Sequence, residues 1–493
     1  MSSPHQFPRT TPEAEGMSST AITAFVDALQ APGRPLDTVH SVMVLRHGNV
    51  VAEGWWSPYT ADANHMMFSV SKSYCSTGIG IAVGEGLLSV EDTVLSFFPD
   101  DAPDHPSANL QAMKVKHLLA MNTGHHEDTT GAVFRGEGDD WARIFLSLPV
   151  EHEPGTWFVY NTGATYMLSA IITRLTGQTL LDYLTPRLFD PLGISGATWD
   201  TDPHGISIGG SGLHIRTEDI ARLAQLYLQG GAWNGTRILS PDWVAEATSV
   251  HSDNSNTQTN PDWSVGYGYQ FWRCRHGAYR GDGAFGQFCV VLPEQDAVLA
   301  ITGGLQDMQA VLDKVWEHLL PAFGNVPLPP DPEAFAALQH KLANLTLGQP
   351  IGQAVSPISE TLADRTWSLA PNALGLTAVN LAGGNDSTEL TLTSAIGDQR
   401  VTASPGSWTR GSLVVPDPRT GVVDLQSGTG EPVAASGAWT NPTTYELWLA
   451  YVNGVYGQVW TFTFEEPKLR LTIAPNVSWA ESEPITIDGH VIA

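Results

Sequence analysis

The strongest constraint on the fold is where strand-like runs fall. They sit at both ends of residues 12–304 and leave the middle without them. Residues 41–46 and 50–53 are rich in β-branched and apolar side chains and flank His47-Gly48-Asn49, the pattern of a β-hairpin. At the far end, residues 267–273, 287–292 and 297–302 read as strands, and Pro293-Glu294-Gln295-Asp296 makes a turn between the last two. Helical patterns fill the interval at 115–121, 166–175, 180–188, 217–228 and 241–248. Thr217 ahead of Glu218 and Asp219 marks a start, and Gly177 and Gly230 mark stops. Further helices are expected at 20–30 and 309–320. An isolated hairpin is marginal in water. The two ends are therefore expected to build one antiparallel sheet, flanked by helices and set beside a helical subdomain, an α+β fold.

Residues 325–332, Asn-Val-Pro-Leu-Pro-Pro-Asp-Pro, form a stiff connector, followed by a helix at 333–345. Beyond residue 361 short alternating segments at 389–392, 445–449 and 468–473 are separated by Gly, Pro, Asn and Asp, as in a C-terminal all-β barrel or sandwich. The expected domains are 1–323, a connector at 324–360, and 361–493. The formal net charge of −27 argues against nucleic acid and anionic membranes as partners. The first residues lack the basic and apolar regions of a signal peptide, no apolar run is long enough to span a membrane, and three cysteines form no framework. A cytoplasmic protein is the expectation. In His125-His126-Glu127-Asp128 the adjacent histidines diverge on any regular element, so no metal is expected, and no cofactor.

Chemistry enters at Phe68-Ser69-Val70-Ser71-Lys72, where a run of small and apolar residues up to Gly84 reads as a helix. Residues three apart share a helix face, which places the Ser69 hydroxyl beside the Lys72 amine. A serine becomes a nucleophile when a neighbouring base takes its proton, and a buried lysine with a lowered pKa can be that base. Two more stretches could complete a site. Tyr160, in Pro154-Gly155-Thr156-Trp157-Phe158-Val159-Tyr160-Asn161-Thr162-Gly163, could shuttle a proton. Gly281-Asp282-Gly283-Ala284-Phe285-Gly286-Gln287 leads into a strand whose backbone could approach a ligand and donate to an oxyanion. Gly205-Ile206-Ser207-Ile208-Gly209 matches a nucleophile-elbow pattern but lacks the strand before it and the helix after it.

Together these stretches resemble the serine β-lactamase-related family of class C β-lactamases, D-alanyl-D-alanine carboxypeptidases and β-lactamase-like esterases. The resemblance runs from about Pro12 to Gly304 and includes 115–124, Gly210-Ser211-Gly212-Leu213 with Thr217-Glu218-Asp219, and Pro293-Glu294. It implies Ser69, Lys72 and Tyr160 as catalytic residues, the N–H groups of Ser69 and Ala284 as oxyanion donors, and Thr162, His125, Asp282 and Gly283 as substrate-binding residues. It implies an acyl-enzyme on Ser69 with a small ester or amide. D-amino-acid peptides, β-lactams, or a catalytically inactive binding protein of the same fold are the alternatives, and oligomeric state is left open. Two positions depart from the family. Thr162 stands where the family has Asn in Tyr-x-Asn, and Gly281-Asp282-Gly283 stands where the family has a cation, a hydroxyl and Gly. Asp282 is expected to repel a substrate carboxylate unless Arg275, His276 or Arg280 supplies the cation.

Overall fold

The computed structural model describes residues 6–30, 34–136, 138–255, 260–362, 365–384, 386–414, 430–479 and 483–492. The hairpin forms from β1 (Thr38–Arg46) and β2 (Asn49–Trp55). Arg46 pairs with Asn49, so the loop is His47 and Gly48 alone. Both have positive φ, 50° and 78°, which is the backbone of a type I′ turn and matches the strand twist. From the far end come β3 (Trp272–Arg273), β4 (Tyr279–Gly283), β5 (Gln287–Leu292) and β6 (Ala297–Gly304). The sheet order is β2-β1-β6-β5-β4-β3, antiparallel throughout. β1 pairs with β6 from Thr38↔Gly304 to Arg46↔Ala297, closing the two ends of the region on each other.

Side chains alternate across this sheet and are apolar on both faces. Val42, Val44, Val290, Leu299 and Ile301 face α1 (Ser19–Leu29), which contributes Ile22, Phe25, Val26 and Leu29. Met43, Leu45, Val291 and Val298 face the helical side, where α2 (Val70–Gly84), α3 (Thr162–Thr176) and α4 (Thr217–Leu228) lie. α4 has the expected bounds. α3 begins four residues before the expected Tyr166, because Asn161 caps it by accepting from the Ala164 N–H. After α5 (Met308–Lys314) the helix continues through a wider turn at Val315–Leu319. α6 (Pro332–Ala343) follows the proline-rich connector and is capped by Asp331. Its Leu338 and Leu342 pack into the same core as α1, so the connector helix is part of the sheet's outer layer.

Two elements differ from expectation. Within 267–273 only Trp272–Arg273 is a strand, and Gln270 has φ 65°. Tyr267, Tyr269 and Phe271 alternate like strand residues, yet their rings are buried in the helical core, with Phe271 4.6 Å from Tyr227. Conversely, Tyr279–Gly283, where the sequence predicts no strand and Gly281 to Gln287 only leads into one, is a fully buried strand.

The C-terminal part is a ten-stranded antiparallel sheet curled into a nearly closed barrel. Its strands are β7 (Thr366–Leu369), β8 (Leu376–Gly383), β9 (Thr388–Ser394), β10 (Gly397–Ala403), β11 (Thr409–Leu413), β12 (Glu431–Asn441), β13 (Thr444–Tyr451), β14 (Gly457–Glu465), β15 (Lys468–Pro475) and β16 (Ile485–Val491). The order is β10-β9-β8-β7-β16-β15-β14-β13-β12-β11. Side-chain bonds draw the ends together: Gln399 on β10 donates to the Val414 carbonyl, and Ser436 on β12 donates to the Ser404 carbonyl. Trp367, Leu381, Leu392, Trp460, Phe462 and Leu471 fill the interior.

The barrel sits directly on the first domain. Buried Asn476 donates to the carbonyls of Leu36 (3.2 Å), Gly304 (2.9 Å) and Val455 (2.9 Å) and accepts from Gly457 N–H at 2.8 Å. Met66 N–H donates to the Asn453 carbonyl at 2.9 Å, and the Tyr59 hydroxyl donates to the Gly454 carbonyl at 3.3 Å. Asn476→Ala leaves several buried backbone groups without a partner. It is expected to lower the unfolding free energy by about 1–3 kcal/mol, since each such group carries its full desolvation penalty. An unchanged urea unfolding curve would show that this residue does not hold the two parts together.

Candidate active site

The residues before α2 are held from one side by a small sheet in which Met66 pairs with His214, while Met67 N–H donates to the Leu213 carbonyl at 2.9 Å. Leu213 N–H in turn donates to Ser71 Oγ at 3.1 Å. Phe68 has φ 45°, a left-handed conformation that a bulky residue adopts only when its surroundings enforce it. That turn delivers Ser69 to the N-terminus of α2, where the helix dipole favours negative charge, although the Val70, Ser71 and Lys72 N–H groups already donate to the carbonyls of Met67, Phe68 and Ser69.

Lys72 is one turn further on and only 1% exposed. Its Nζ lies 3.0 Å from Ser69 Oγ, 3.2 Å from Thr162 Oγ1 and 2.7 Å from the Gly210 carbonyl oxygen. It also sits 4.9 Å from the centre of the Tyr160 ring. Burial pushes the amine down to about 7, against the pull of the Asp128 and Asp282 carboxylates. Tyr160, just ahead of α3, is raised above the usual phenol range, chiefly by burial, while a hydrogen bond to Ser69 opposes the shift. At neutral pH the pair is thus an amine able to take a proton and a phenol that keeps its own.

Ser69, Lys72, Tyr160, Thr162, Asp282, Gly283 and Ala284 converge on one cleft of about 1270 Å³, of which Ser69, Tyr160, Thr162, Asp282 and Ala284 form the wall. Glycines bring β4 against α2. A Cβ on Gly283 would overlap the Met67 carbonyl oxygen and come 3.1 Å from Ser69 N, and a Cβ on Gly281 would overlap Ser73 Oγ. The same close approach sets Ala284, the residue after Gly283, on the cleft wall with Ser69. Among the described residues no backbone acceptor takes either N–H group.

The expectation of an unpaired carboxylate at Asp282 is corrected. Arg280, two residues earlier and so on the same face of β4, donates to Asp282 from Nε at 2.9 Å, and its Nη2 lies 2.7 Å from the same carboxylate. Arg280 is 0% exposed, under the Trp263 ring at 4.1 Å, and also donates to the Asp262 carbonyl and Cys274 Sγ. Burial still raises the Asp282 carboxyl. None of the three expected cations serves the cleft. Arg280 is sealed, Arg275 is paired with Asp262 and Asp313, and the His276 ring packs 5.2 Å from that of Trp316.

His125 is a second correction. It is not on the cleft wall but buried against Phe145, its Nδ1 2.8 Å from Thr123 Oγ1, and burial lowers it to about 4. A neutral ring packed there is structural. Asn161, next to the departed position, caps α3 and accepts from Thr129 Oγ1 at 2.6 Å, leaving the family's amide position to Thr162. Ser207 lies buried in a loop bridged to Thr201, with the next helix starting only at Thr217. Sequence reasoning missed the Gly210 carbonyl as the third partner of Lys72, because a backbone acceptor has no side-chain signature. It also missed the barrel's share of the cleft, which includes Glu431, Tyr451, Asn453, Tyr456 and Trp479.

A helix-covered antiparallel sheet, with a serine at a helix start and a buried lysine one turn on, is the architecture of a serine hydrolase. Residues 24–310 match the family model described as Beta-lactamase, more than half of the chain, and the chain belongs to that family. It is 28% identical over 278 residues to a 6-aminohexanoate-dimer hydrolase of Paenarthrobacter ureafaciens, covering 52% of this chain and 70% of that one. It is 27% identical over 171 residues to a D-aminopeptidase of Brucella anthropi, covering 33% and 32% of the two chains. Among solved structures, a penicillin-binding protein homologue from Caulobacter crescentus superposes with a TM-score of 0.52 at 16% identity, over 64% of this chain and 99% of that one.

Gly283→Ala tests the close approach of β4 and α2. The added methyl must push the strand from the Met67 carbonyl, and a displacement near 1 Å at a reacting centre is worth about a hundredfold in rate. Esterase activity should fall by about that factor while the circular dichroism spectrum is kept. Full activity would mean that the Gly283 backbone does not set the site.

Proposed function

We propose that the protein cleaves small esters or amides through an acyl-enzyme on Ser69. The observation that carries this is the Lys72 amine, buried, lowered to about 7 and 3.0 Å from Ser69 Oγ. Ser69 Oγ attacks the carbonyl carbon while its proton passes to neutral Lys72. The carbonyl oxygen becomes an oxyanion, which the N–H groups of Ser69 and Ala284 stabilise. Collapse of the tetrahedral species breaks the bond to the leaving group, which takes its proton from Lys72 by way of the Tyr160 hydroxyl. The same pair then removes a proton from the water that hydrolyses the acyl-enzyme, and Ser69 is released. Thr162 Oγ1 orients Lys72 and bonds the substrate amide or ester. Likeness to a 6-aminohexanoate-dimer hydrolase and to a D-aminopeptidase supports amides, including D-amino-acid derivatives, as the second substrate class.

The cleft's charge supports neutral or cationic substrates. Asp128, Asp200, Asp307 and Glu431 line it against a single exposed Arg135, and the slot at Gly281 has no room for a side chain. Like charges ~4 Å apart repel by about 1 kcal/mol even in water. A neutral short-chain ester should therefore have a kcat/KM at least about tenfold above that of a penicillin, whose carboxylate meets mostly like charge on the described cleft wall. Comparable values for the two would return the β-lactam reading to first place. Asp282→Asn is no test of this preference, because that change leaves the buried Arg280 charge without its carboxylate partner.

Ser69→Ala should remove hydrolysis and the covalent adduct seen by intact-mass spectrometry with a fluorophosphonate. An adduct persisting in this variant sinks the assignment, and a wild type that never labels supports the inactive binding protein. The acid limb tests Lys72. Only its neutral form accepts a proton, so kcat/KM should fall as pH drops through about 7, approaching tenfold per pH unit below it. A profile flat from pH 8 to pH 5 excludes Lys72 as the base.

A further inference from the structure

The C-terminal barrel builds part of the catalytic cleft. Phe68 immediately precedes Ser69, and Phe285 immediately follows Ala284, so one aromatic residue adjoins each of the two oxyanion donors. Both have left-handed backbones, φ 45° and 64°, and both turn their rings toward the barrel. There Phe68 meets Tyr456 at 6.4 Å and Trp479 at 5.7 Å, edge to face, and Phe285 meets Trp479 at 4.8 Å. Phe285 is buried behind the others, while Phe68, Tyr456 and Trp479 face the cleft. Trp479 is 60% exposed, in contrast to the many buried tryptophans of this chain. Its position on the cleft wall, one ring away from the residue before the nucleophile, is what a binding surface requires and a packing role does not.

We propose that Phe68, Tyr456 and Trp479 form an aromatic subsite, shared between the two domains, that takes a flat apolar group of the substrate, an aryl or alicyclic ring close to the scissile carbonyl. The proposal rests on Ser69 as the nucleophile. Neighbouring Cα atoms are about 3.8 Å apart, so a ring one or two bonds from a carbonyl at Ser69 reaches the Phe68 side chain. Edge-to-face ring pairs suit a planar ligand, and each is worth roughly two- to tenfold in binding. The wall carries apolar faces beside Glu431, so a ring bearing an amine fits it and a ring bearing a carboxylate does not.

The test uses the full chain and two matched ester pairs, phenylacetyl against acetyl esters of one alcohol and benzyl against ethyl esters of one acid. In the wild type the aromatic member of at least one pair should have a kcat/KM about tenfold or more above its partner. Trp479→Ala should reduce that ratio by about tenfold, and Trp479→Phe should restore most of it, which a merely structural role for Trp479 would not produce. The proposal is overturned if the wild type shows no aromatic preference in either pair, or if Trp479→Ala leaves the ratios as they were. Ser69→Ala separates the two readings. Hydrolysis surviving in that variant removes the nucleophile assignment, whereas its loss together with unchanged Trp479→Ala ratios removes only the subsite.

Discussion

The site depends on one buried amine. Lys72 belongs to the first turn of α2, yet its nitrogen meets the start of α3 at Thr162 and the Gly210 carbonyl from the loop between two strands of the small sheet. Three segments far apart in sequence are thereby held to one point. An ammonium ion enclosed in this way would lose its hydration, and burial lowers its pKa for that reason. The same enclosure that ties the segments together keeps the amine available as a base.

Much of this was legible because the local signals agreed with the tertiary ones. The hairpin turn within His47-Gly48-Asn49, one residue shorter than expected, the α4 start at Thr217 and the strand at Gln287–Leu292 all appear where composition and periodicity put them. Failures cluster where a backbone does the work. Tyr279–Gly283 hid as a strand because its glycines, which normally weaken strands, are required for contact with α2. Tyr267, Tyr269 and Phe271 read as a strand because alternation cannot distinguish sheet burial from helix packing. Neighbouring residues of opposite charge, Arg280 and Asp282, were visible, but their pairing required knowing that they lie on one strand and share a face. His125 looked available for a ligand because polarity in sequence does not report burial.

The barrel is a similar case. Its alternating strands were plain, but nothing in their pattern shows which loops meet another domain. The loop at 452–456 and the segment after β15 carry Asn453, Tyr456, Asn476 and Trp479, and these join backbone contacts on the first domain with side chains in the cleft. The cleft wall and the docking of the two domains therefore use the same short stretches of chain.

The overlap between a Cβ at Gly281 and Ser73 Oγ bears on how this sequence can diverge. A cation at that strand position requires the Ser73 hydroxyl to move, because a Cβ there would overlap it. Ser73 also donates to the Gln270 carbonyl, so shortening it first would leave a buried acceptor unpaired. Either order of change passes through a damaged intermediate. At this strand position, a change toward gripping a carboxylate is easier as a paired replacement of Gly281 and Ser73 than as either change alone.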